Sequence, residues 1–452
     1  MKENARKSWN GTMDLMKLTV PILIETALVM MLGFVDVFVL GRYDDLAASG
    51  VNTANQAIIV ISTAILVFSS AGGILVSQFL GAGNRETASR FAALSIVLHF
   101  LAGLAVSLLV FFCSGSILRF IGAKEQVFDY AQQYLRTVSI SIVLSSVSTS
   151  MAVTLRSHGL TKLPMLVGIG VNVLNIVLDL LLVSGAGVFP AMGVRGAAAA
   201  TFFSRAAGLA AMSWFLFRKA EKPSIFRLLR QPPGEDLKLL VKTGFPAAAE
   251  SFLYHVSQLV ITSLVLHFLS ENELIAKTYL YNITFAFYLF SASVGQAAQI
   301  LVGHQAGAGD FDAARKTGFR TFRLAILVTA MVCLAGIAAR QFIISLFTNN
   351  AEVIGIASGL LIINLFLELG RTTNLTLIPC LRGAGDVTFP TGWAVFSNWL
   401  IGLGGAHLLG VVCGLGIYGL WIAMAMDEVF RAILMFFRWR GKRWENKTAT
   451  AR

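Results

Sequence analysis

The chain has 452 residues, of which 56% are hydrophobic and 13% are charged, and its mean hydropathy is +0.73. Soluble proteins carry about a quarter charged residues, so this composition excludes a soluble globular domain and indicates an all-α polytopic membrane protein. The net charge of +12 is spread over the loops between apolar runs and gives no indication of nucleic-acid binding. Four scattered cysteines indicate neither a disulfide framework nor a metal site.

Twelve apolar runs are long enough to cross a bilayer as helices. The predicted spans are 18–41, 52–80, 91–118, 133–155, 163–187, 193–217, 240–268, 278–302, 318–347, 353–380, 389–412 and 414–437. Of the 36 Lys and Arg residues, 26 lie in the two tails and one alternating set of connections, and 7 lie in the opposite set. Cytoplasmic loops are enriched in basic residues. Both termini and the 218–242 segment are therefore expected in the cytoplasm, and the polar N-terminus does not read as a signal peptide.

In the first half of the chain, two of the predicted helices carry acids in apolar surroundings. The first span, PILIETALVMMLGFVDVFVLGR, contains Glu25 and Asp36, which lie eleven positions apart and so on nearly the same helix face. In the fifth span, Asn172, Asn175 and Asp179 form one polar stripe. A charge near the middle of a membrane helix costs roughly 2.5–3.5 kcal/mol, which indicates a functional role. The alternative is that these groups only hydrogen-bond neighbouring helices.

The second half of the chain repeats the first. Pro246 and Glu250 keep the Pro-x-x-x-Glu spacing of Pro21 and Glu25, whereas Ile261 stands at the position that aligns with Asp36. Further matches join VSQFLGAGNRETASR to VGHQAGAGDFDAARK, LRSHGLTKLPM to LRGAGDVTFPT and, more loosely, GVRGAA to GIYGLW.

The repeat predicts a division of the chain into two lobes. Each half has an even number of spans, so the halves are predicted to be parallel six-helix repeats, as in secondary transporters. The expected organisation is a first lobe at 1–217, a cytoplasmic linker at 218–242 and a second lobe with the C-terminal tail at 243–452.

Taken together, these motifs resemble the MATE family, the multidrug and toxic compound extrusion transporters. The resemblance covers the whole chain and is carried by the two Pro-x-x-x-Glu openings, DVFVLGR, VSQFLGAG, LRSHGLTK and GVRGAAAAT. It implies a V-shaped pair of six-helix lobes around a central cavity. It also implies a multi-pass protein of a prokaryotic plasma membrane that exports amphipathic, often cationic, compounds against an inward flow of Na+ or H+.

The resemblance implies a cation-coupling site in the first lobe. The ion-site residues of the family match Asp36, Asn175, Asp179 and Thr201 in this sequence. Carboxylate, amide and hydroxyl oxygens of this kind suit a hard cation such as Na+. A proton on Asp36 is the alternative, and the aspartate would then act as the switch of an alternating-access cycle.

The second lobe departs from the family pattern. Glu250 matches an acid of a second ion site that some members have, but Arg371 occupies the position of its partner acid, and Glu368 lies one turn earlier. Coupling is therefore expected through the first lobe, with Glu250 and Tyr254 as candidates for a proton or substrate site.

Adaptable thioethers and aromatic faces suit cationic, apolar substrates. The candidate cavity residues are Glu25, Met30, Met31, Tyr281 and Phe287.

Two other functions, a lipid flippase and a membrane enzyme, would require residues of a different kind. A lipid-linked saccharide flippase on the same two-lobe plan would need several intramembrane Arg or Lys to hold a diphosphate, and only Arg205, Arg371 and Arg431 are predicted within spans. A membrane enzyme would need a nucleophile with its base or a metal motif, and the sequence contains neither pattern. We expect a transporter and not an enzyme, acting as a monomer without a cofactor other than its coupling ion.

Overall fold

The computed structural model describes residues 11–62, 66–185, 190–220 and 234–451, and these stretches are almost entirely helical, without a strand. The helices, in chain order, are α1 (Gly11–Gly41), α2 (Asp45–Ser62), α3 (Leu66–Gly81), α4 (Arg85–Ile121), α5 (Glu125–Ser157), α6 (Lys162–Leu182), α7 (Val194–Lys219), α8 (Gly234–Phe268), α9 (Glu271–Gly307), α10 (Phe311–Ala338), α11 (Arg340–Ser345), α12 (Ala351–Gly383), α13 (Thr388–Ser397) and α14 (Gly416–Arg440). Two π-helical segments, Asn398–Gly404 and Ala406–Val412, follow α13. Short 3₁₀ turns at Glu445–Lys447 and Ala449–Ala451 follow α14.

The described helices confirm the predicted polytopic, all-α fold class. Eight helical spans in the described part of the chain are long and apolar enough to cross a membrane, and one of them, Thr388–Val412, consists of α13 and the two π-helical segments. Helix α9 makes a ninth if its two parts, which meet at a 41° bend, are counted as one span. Helices satisfy their backbone hydrogen bonds internally, which is why they are suited to lipid.

Three predicted spans differ in detail from the structure. The run at 52–80 lies in two helices, α2 and α3, and residues 63–65 between them are outside the described part. The run at 318–347 ends as α10 at Ala338 and continues as the short α11. The run at 389–412 is α-helical only to Ser397 and then widens into π-helical turns. Apolar composition predicts that a segment is buried in lipid, but it does not distinguish these hydrogen-bonding patterns.

The predicted linker at 218–242 lies mostly outside the described residues. Helix α7 continues to Lys219 and helix α8 already begins at Gly234, while residues 221–233 are not described.

The chain forms two compact units. The first unit consists of Val20–Leu80 and Asn84–Ala248, and the second consists mainly of Ala249–Arg452. Within the first unit, α5 packs against α2, α4 and α7; within the second, α12 packs against α9, α10 and α14. About half of the most apolar stretch of α5 and of α12 is buried, against a third or less of that stretch in the other helices long and apolar enough to cross a membrane. Each unit is thus assembled around one central helix.

Equivalent turns in the two halves share one backbone conformation. Gly83 and Gly309 have φ of 76° and 77°, and the loosely matched Gly193 and Gly416 have φ of 52° and 56°. Residues other than glycine rarely adopt a positive φ of this kind. The internal repeat is therefore present in the backbone as well as in the sequence.

The helix starts that follow the first of these turns also match. Asn84 caps α4 by accepting the Thr87 N–H at 3.0 Å, and Asp310 caps α10 by accepting the Ala313 N–H at 3.0 Å. Short side chains with an oxygen acceptor are the preferred N-caps because they satisfy otherwise unpaired N–H groups.

The segment after α14 folds back onto the second unit. The rings of Trp439 and Trp444 stack with their centroids 4.4 Å apart, and the Trp444 indole donates to the Trp439 carbonyl at 2.9 Å. Gly318 in α10 makes room for Trp439, because a Cβ at this glycine would collide with the indole. Arg315 in α10 forms an ion pair with Glu445. The stacked indoles thus attach the C-terminal segment to α10.

We expect the substitution Trp444→Ala to lower the midpoint of thermal unfolding, because it removes a fully buried aromatic ring. Substitutions of this kind typically cost about 3–5 kcal/mol. The control is Trp214→Ala, at an indole that is 55% exposed. Equal midpoints for the two variants would show that the stack contributes nothing to stability.

Candidate functional site

The first unit contains a cluster of buried polar side chains contributed by four helices. Helix α1 contributes Asp36, α5 contributes Tyr134, α6 contributes Asn175 and Asp179, and α7 contributes Thr201. We call these five residues the Asp36 cluster. All of them are at least 98% buried, although they lie in segments that are otherwise apolar.

The carboxylate of Asp36 is held through one of its oxygens. Its Oδ2 accepts a short hydrogen bond from the Tyr134 hydroxyl and a second, of 3.0 Å, from the Thr201 hydroxyl. The carboxyl group of Asp179 lies beside that of Asp36. These contacts bring α1, α5, α6 and α7 together around one carboxylate.

Several polar atoms of the cluster have no hydrogen-bond partner among the described residues. They are Asp36 Oδ1, both carboxyl oxygens of Asp179, and both polar atoms of the Asn175 amide. A buried polar group without a partner costs about 1–3 kcal/mol, and a buried charge costs more. The cluster therefore has buried oxygens that a proton or a cation could satisfy.

One positive charge lies near the two carboxylates. Arg205, one turn after Thr201 in α7, donates from Nη1 to the Ser141 hydroxyl at 2.9 Å. Its guanidinium is close enough to act electrostatically on Asp36 and on Tyr134, but no ion pair joins it to a carboxylate in the described part of the chain. Two carboxyl groups thus face one cation that does not contact them directly.

The surroundings of the cluster are apolar. Tyr134 belongs to a buried group with Val39, Leu40 and Val138. In such surroundings, with little water, electrostatic interactions are strong. A cation that enters would be bound mainly by the two carboxylates and by the amide and hydroxyl oxygens beside them. No group of three or more His, Cys, Asp or Glu side chains among the described residues is arranged to hold a metal.

The other predicted site residues of the first half lie apart from this cluster. Glu25, on the same helix as Asp36, is buried and forms an ion pair of 3.6 Å with Arg156 in α5. Met31 is 54% exposed. The side chain of Met30 is outside the described part of the structure.

In the second unit, the predicted acid is paired. Glu250 in α8 accepts a hydrogen bond of 2.6 Å from Arg382 in α12. Tyr254, one turn further along α8, lies near the Arg371 guanidinium. Tyr281 in α9 packs edge-to-face on Trp421, with the ring centroids 6.0 Å apart.

Phe287, also predicted to line the substrate site, has its side chain outside the described residues.

Comparison with known proteins places the chain in a family. The MatE family model matches residues 21–181 and 246–408, which together are more than two thirds of the chain. The chain belongs to the MATE family. The two matched segments correspond to the two halves that the internal repeat defines.

Individual relatives agree with this assignment. The chain is 33% identical over 443 residues to the uncharacterized transporter YisQ of Bacillus subtilis, covering 98% of this chain and 97% of that protein. It is 27% identical over 441 residues to NorM of Thermotoga maritima, a probable multidrug resistance protein, covering 97% and 94%.

Solved MATE structures confirm the fold. A MATE transporter crystallised in its bent conformation superposes with a TM-score of 0.86 at 20% identity, covering 97% of this chain and 96% of that one. The eukaryotic MATE transporter AtDTX14 gives 0.83 at 20% identity, with 98% of each chain covered.

Sequence reasoning missed Tyr134. This tyrosine of the MATE chain lies in α5, where serines and threonines are so frequent that no single spacing distinguishes one polar residue. Its hydroxyl contacts Asp36, which is distant in sequence, so only the packing of α5 against α1 reveals its role.

The effect of the Tyr134 hydroxyl is testable against a matched tyrosine one turn earlier. The Tyr130 hydroxyl donates to Asp44 at 2.9 Å in the loop after α1, and this bond lowers the pKa of Asp44 below its ordinary value. Both tyrosines therefore donate to an aspartate, one in the buried cluster and one at the aqueous end of the unit.

We expect Tyr134→Phe to destabilise the protein by about 1–3 kcal/mol, because a buried carboxylate loses a partner. Tyr130→Phe should cost less, since water replaces the lost bond. The measurement is the midpoint of thermal unfolding of the parent and both variants in one detergent. If Tyr130→Phe lowered the unfolding midpoint as much as Tyr134→Phe, burial would not make the hydrogen bond to Asp36 contribute more to stability.

Proposed function

We propose that the chain is a cation-coupled antiporter that exports amphipathic, often cationic, compounds, and that the Asp36 cluster binds the coupling ion. The observation that supports this is the buried pair of carboxyl groups, Asp36 and Asp179, with three oxygens that have no partner among the described residues. Family membership supports transport, and the relative NorM is named for multidrug resistance.

The donor set fits either Na+ or H+. Two neighbouring carboxylates in an apolar interior repel each other, so a proton on one of them or a cation beside both is needed for stability. The carboxylates, the Asn175 carbonyl oxygen and the Thr201 hydroxyl supply oxygen ligands of the kind that hard cations prefer.

Coupling follows if the ion changes the packing of α1. A ligand shifts a conformational equilibrium only through a difference in affinity for the two states. Asp36 bonds to α5 and α7 through Tyr134 and Thr201, so neutralising its charge changes what holds α1 against both helices. Pro21 within α1 removes one backbone hydrogen bond and makes bending of this helix easier.

Side chains suited to adaptable binding support the proposed substrate class. Met31 is exposed, and Tyr254 and Tyr281 are 36% and 38% exposed. Thioethers adapt to varied shapes, and aromatic faces bind organic cations.

The proposed transporter has two lobes and a cytoplasmic linker, as the sequence predicts. The lobes would comprise residues 1–217 and 243–452, joined by a cytoplasmic linker at 218–242. The chain would act as a monomer in a prokaryotic plasma membrane, and the uneven distribution of Lys and Arg favours both termini in the cytoplasm.

A lipid-linked saccharide flippase has less support. Such a protein needs guanidinium or ammonium groups available for a diphosphate, but Arg371 and Arg431 contact carboxylates. Arg205 is bonded to Ser141 and lies near Asp36.

The decisive experiment uses purified protein in proteoliposomes that contain a cationic dye. Dye movement is compared under an imposed Na+ gradient and an imposed pH gradient, for the parent and for Asp36→Asn. We expect one of the gradients to drive dye movement in the parent, and Asp36→Asn to reduce it to background while the protein remains folded and inserted.

The matched control is Asp129→Asn, which neutralises an exposed aspartate in α5 and should leave transport unchanged. Full gradient-driven efflux by Asp36→Asn would exclude the Asp36 cluster as the coupling site. A parent that responds to neither gradient would refute the proposed antiport.

A further inference from the structure

The second unit contains a network of charged side chains that is separate from the Asp36 cluster. Its carboxylates come from α8, α12 and α14, and its guanidinium groups come from α12 and α14. The members are Glu250, Glu368, Arg371, Arg382, Asp427, Glu428 and Arg431. We call this set the second-unit network.

Most of the network is paired at close range. Arg371 donates to Glu368 at 2.6 Å, just as Arg382 donates to Glu250. Arg431 Nη2 lies 2.8 Å from Glu428 Oε1 and 2.9 Å from Asp427 Oδ2, so one guanidinium nitrogen is shared by two carboxylates.

The network has one carboxylate more than its guanidinium groups can neutralise. Four carboxylates face three guanidinium groups, and the neighbouring Tyr254, Tyr281 and Cys333 bring no positive charge. Lys277 lies over the Tyr281 ring at 5.8 Å and forms no ion pair with the network within the described part of the chain. An unbalanced charge inside a membrane segment is costly. Neutrality therefore requires one additional positive charge.

One carboxyl group of the network is held through a single oxygen, because Asp427 contacts Arg431 only through Oδ2. Its Oδ1 has no hydrogen-bond partner among the described residues, and the same is true of Ser397 Oγ and Asn398 Oδ1. The Ser397 hydroxyl lies next to the Asp427 carboxylate. The space over Gly402, where a side chain would begin, is bordered by Asp427 Oδ2 at 3.6 Å and by the amide nitrogen of Asn398 at 3.7 Å, so these two side chains border the same space.

The backbone changes from α-helical to π-helical turns beside Asp427. Ser397 is the last residue of α13, and Asn398 begins the π-helical segment Asn398–Gly404. Wider turns of this kind occur frequently at functional sites. Ser397, Asn398 and Asp427 are all at least 94% buried, so water does not readily satisfy their oxygens.

We propose that Asp427, Ser397 and Asn398 form a second cation site that takes up one Na+ or one H+. A carboxylate, a hydroxyl and an amide oxygen suit Na+, while a proton on Asp427 would satisfy the same charge. This proposal is about cation binding within the second unit. It can be true whether or not the Asp36 cluster drives transport.

The test uses the full-length protein in detergent with the carboxylates of the first unit removed by Asp36→Asn and Asp179→Asn. Bound radioactive Na+ is measured by equilibrium dialysis. Infrared difference spectra between alkaline and acidic solution report a carboxyl group that takes up a proton. Each measurement is repeated after adding Asp427→Asn, and after adding Ser397→Ala together with Asn398→Leu.

We expect one Na+ per chain or one buried carboxyl band, and we expect Asp427→Asn to abolish it. If the ion is Na+, removing the Ser397 and Asn398 oxygens should weaken its binding at least about tenfold, which corresponds to roughly 1.4 kcal/mol. If the ion is H+, the same pair of substitutions should shift the pH at which the carboxyl band appears. Because those two oxygens have no partner, this variant tests the site even if Asp427→Asn fails to fold.

The matched control is Asp386→Asn. Asp386 is buried in the same unit, but it is bonded to Arg438 at 2.7 Å, so its replacement should leave both signals intact. The proposal is overturned if the protein shows neither bound Na+ nor a buried carboxyl band, or if Asp427→Asn leaves both unchanged.

Discussion

The cost of holding a carboxylate in an apolar interior governs both units of this MATE protein. Each acid within a membrane helix needs a partner, and the chain supplies partners in two ways. In the second unit, guanidinium groups approach the carboxylates to within 3 Å. In the first unit, Asp36 receives only hydroxyl groups, and Asp179 receives no hydrogen bond from the described residues. A guanidinium partner compensates the charge of a carboxylate, whereas the hydroxyl partners of Asp36 do not.

Much of the fold could be predicted because its determinants are local. Apolar run lengths predicted helices, and the repeated sequence motifs have matching backbones, with nearly equal φ at Gly83 and Gly309. The contact of Asp36 with Thr201 follows a general tendency, since polar groups on membrane helices turn towards other helices. Tyr134 and the π-helical turns after Ser397 could not be predicted in this way. Tyr134 depends on how α5 packs against α1, and no local sequence signal separates a π turn from an α turn.

The repeat explains how one scaffold can support two different charge arrangements. Ile261 occupies the position in α8 that aligns with Asp36 in α1, and it packs in a buried apolar group with Leu360 and Trp421. The second unit therefore lacks an acid at this position. Its carboxylates lie instead on α12 and α14, where Arg371 and Arg431 are near enough to pair with them. Equivalent turns in the two units have the same backbone conformation, whereas the buried charged residues lie on different helices.

The two arrangements nevertheless share the same imbalance. In the first unit, Asp36 and Asp179 face Arg205, while Glu25 is paired with Arg156. In the second, four carboxylates face three guanidinium groups. Among the described residues, each of these two buried groups therefore has one carboxylate in excess, and burial in an apolar interior favours one added positive charge for each. The excess in the first unit lies between two carboxyl groups without a direct ion pair, so a cation that bound there would change the contacts between the helices. In the second unit, Asp427 and Glu428 share the Arg431 guanidinium, which would limit how far these carboxylates could move if a bound cation left.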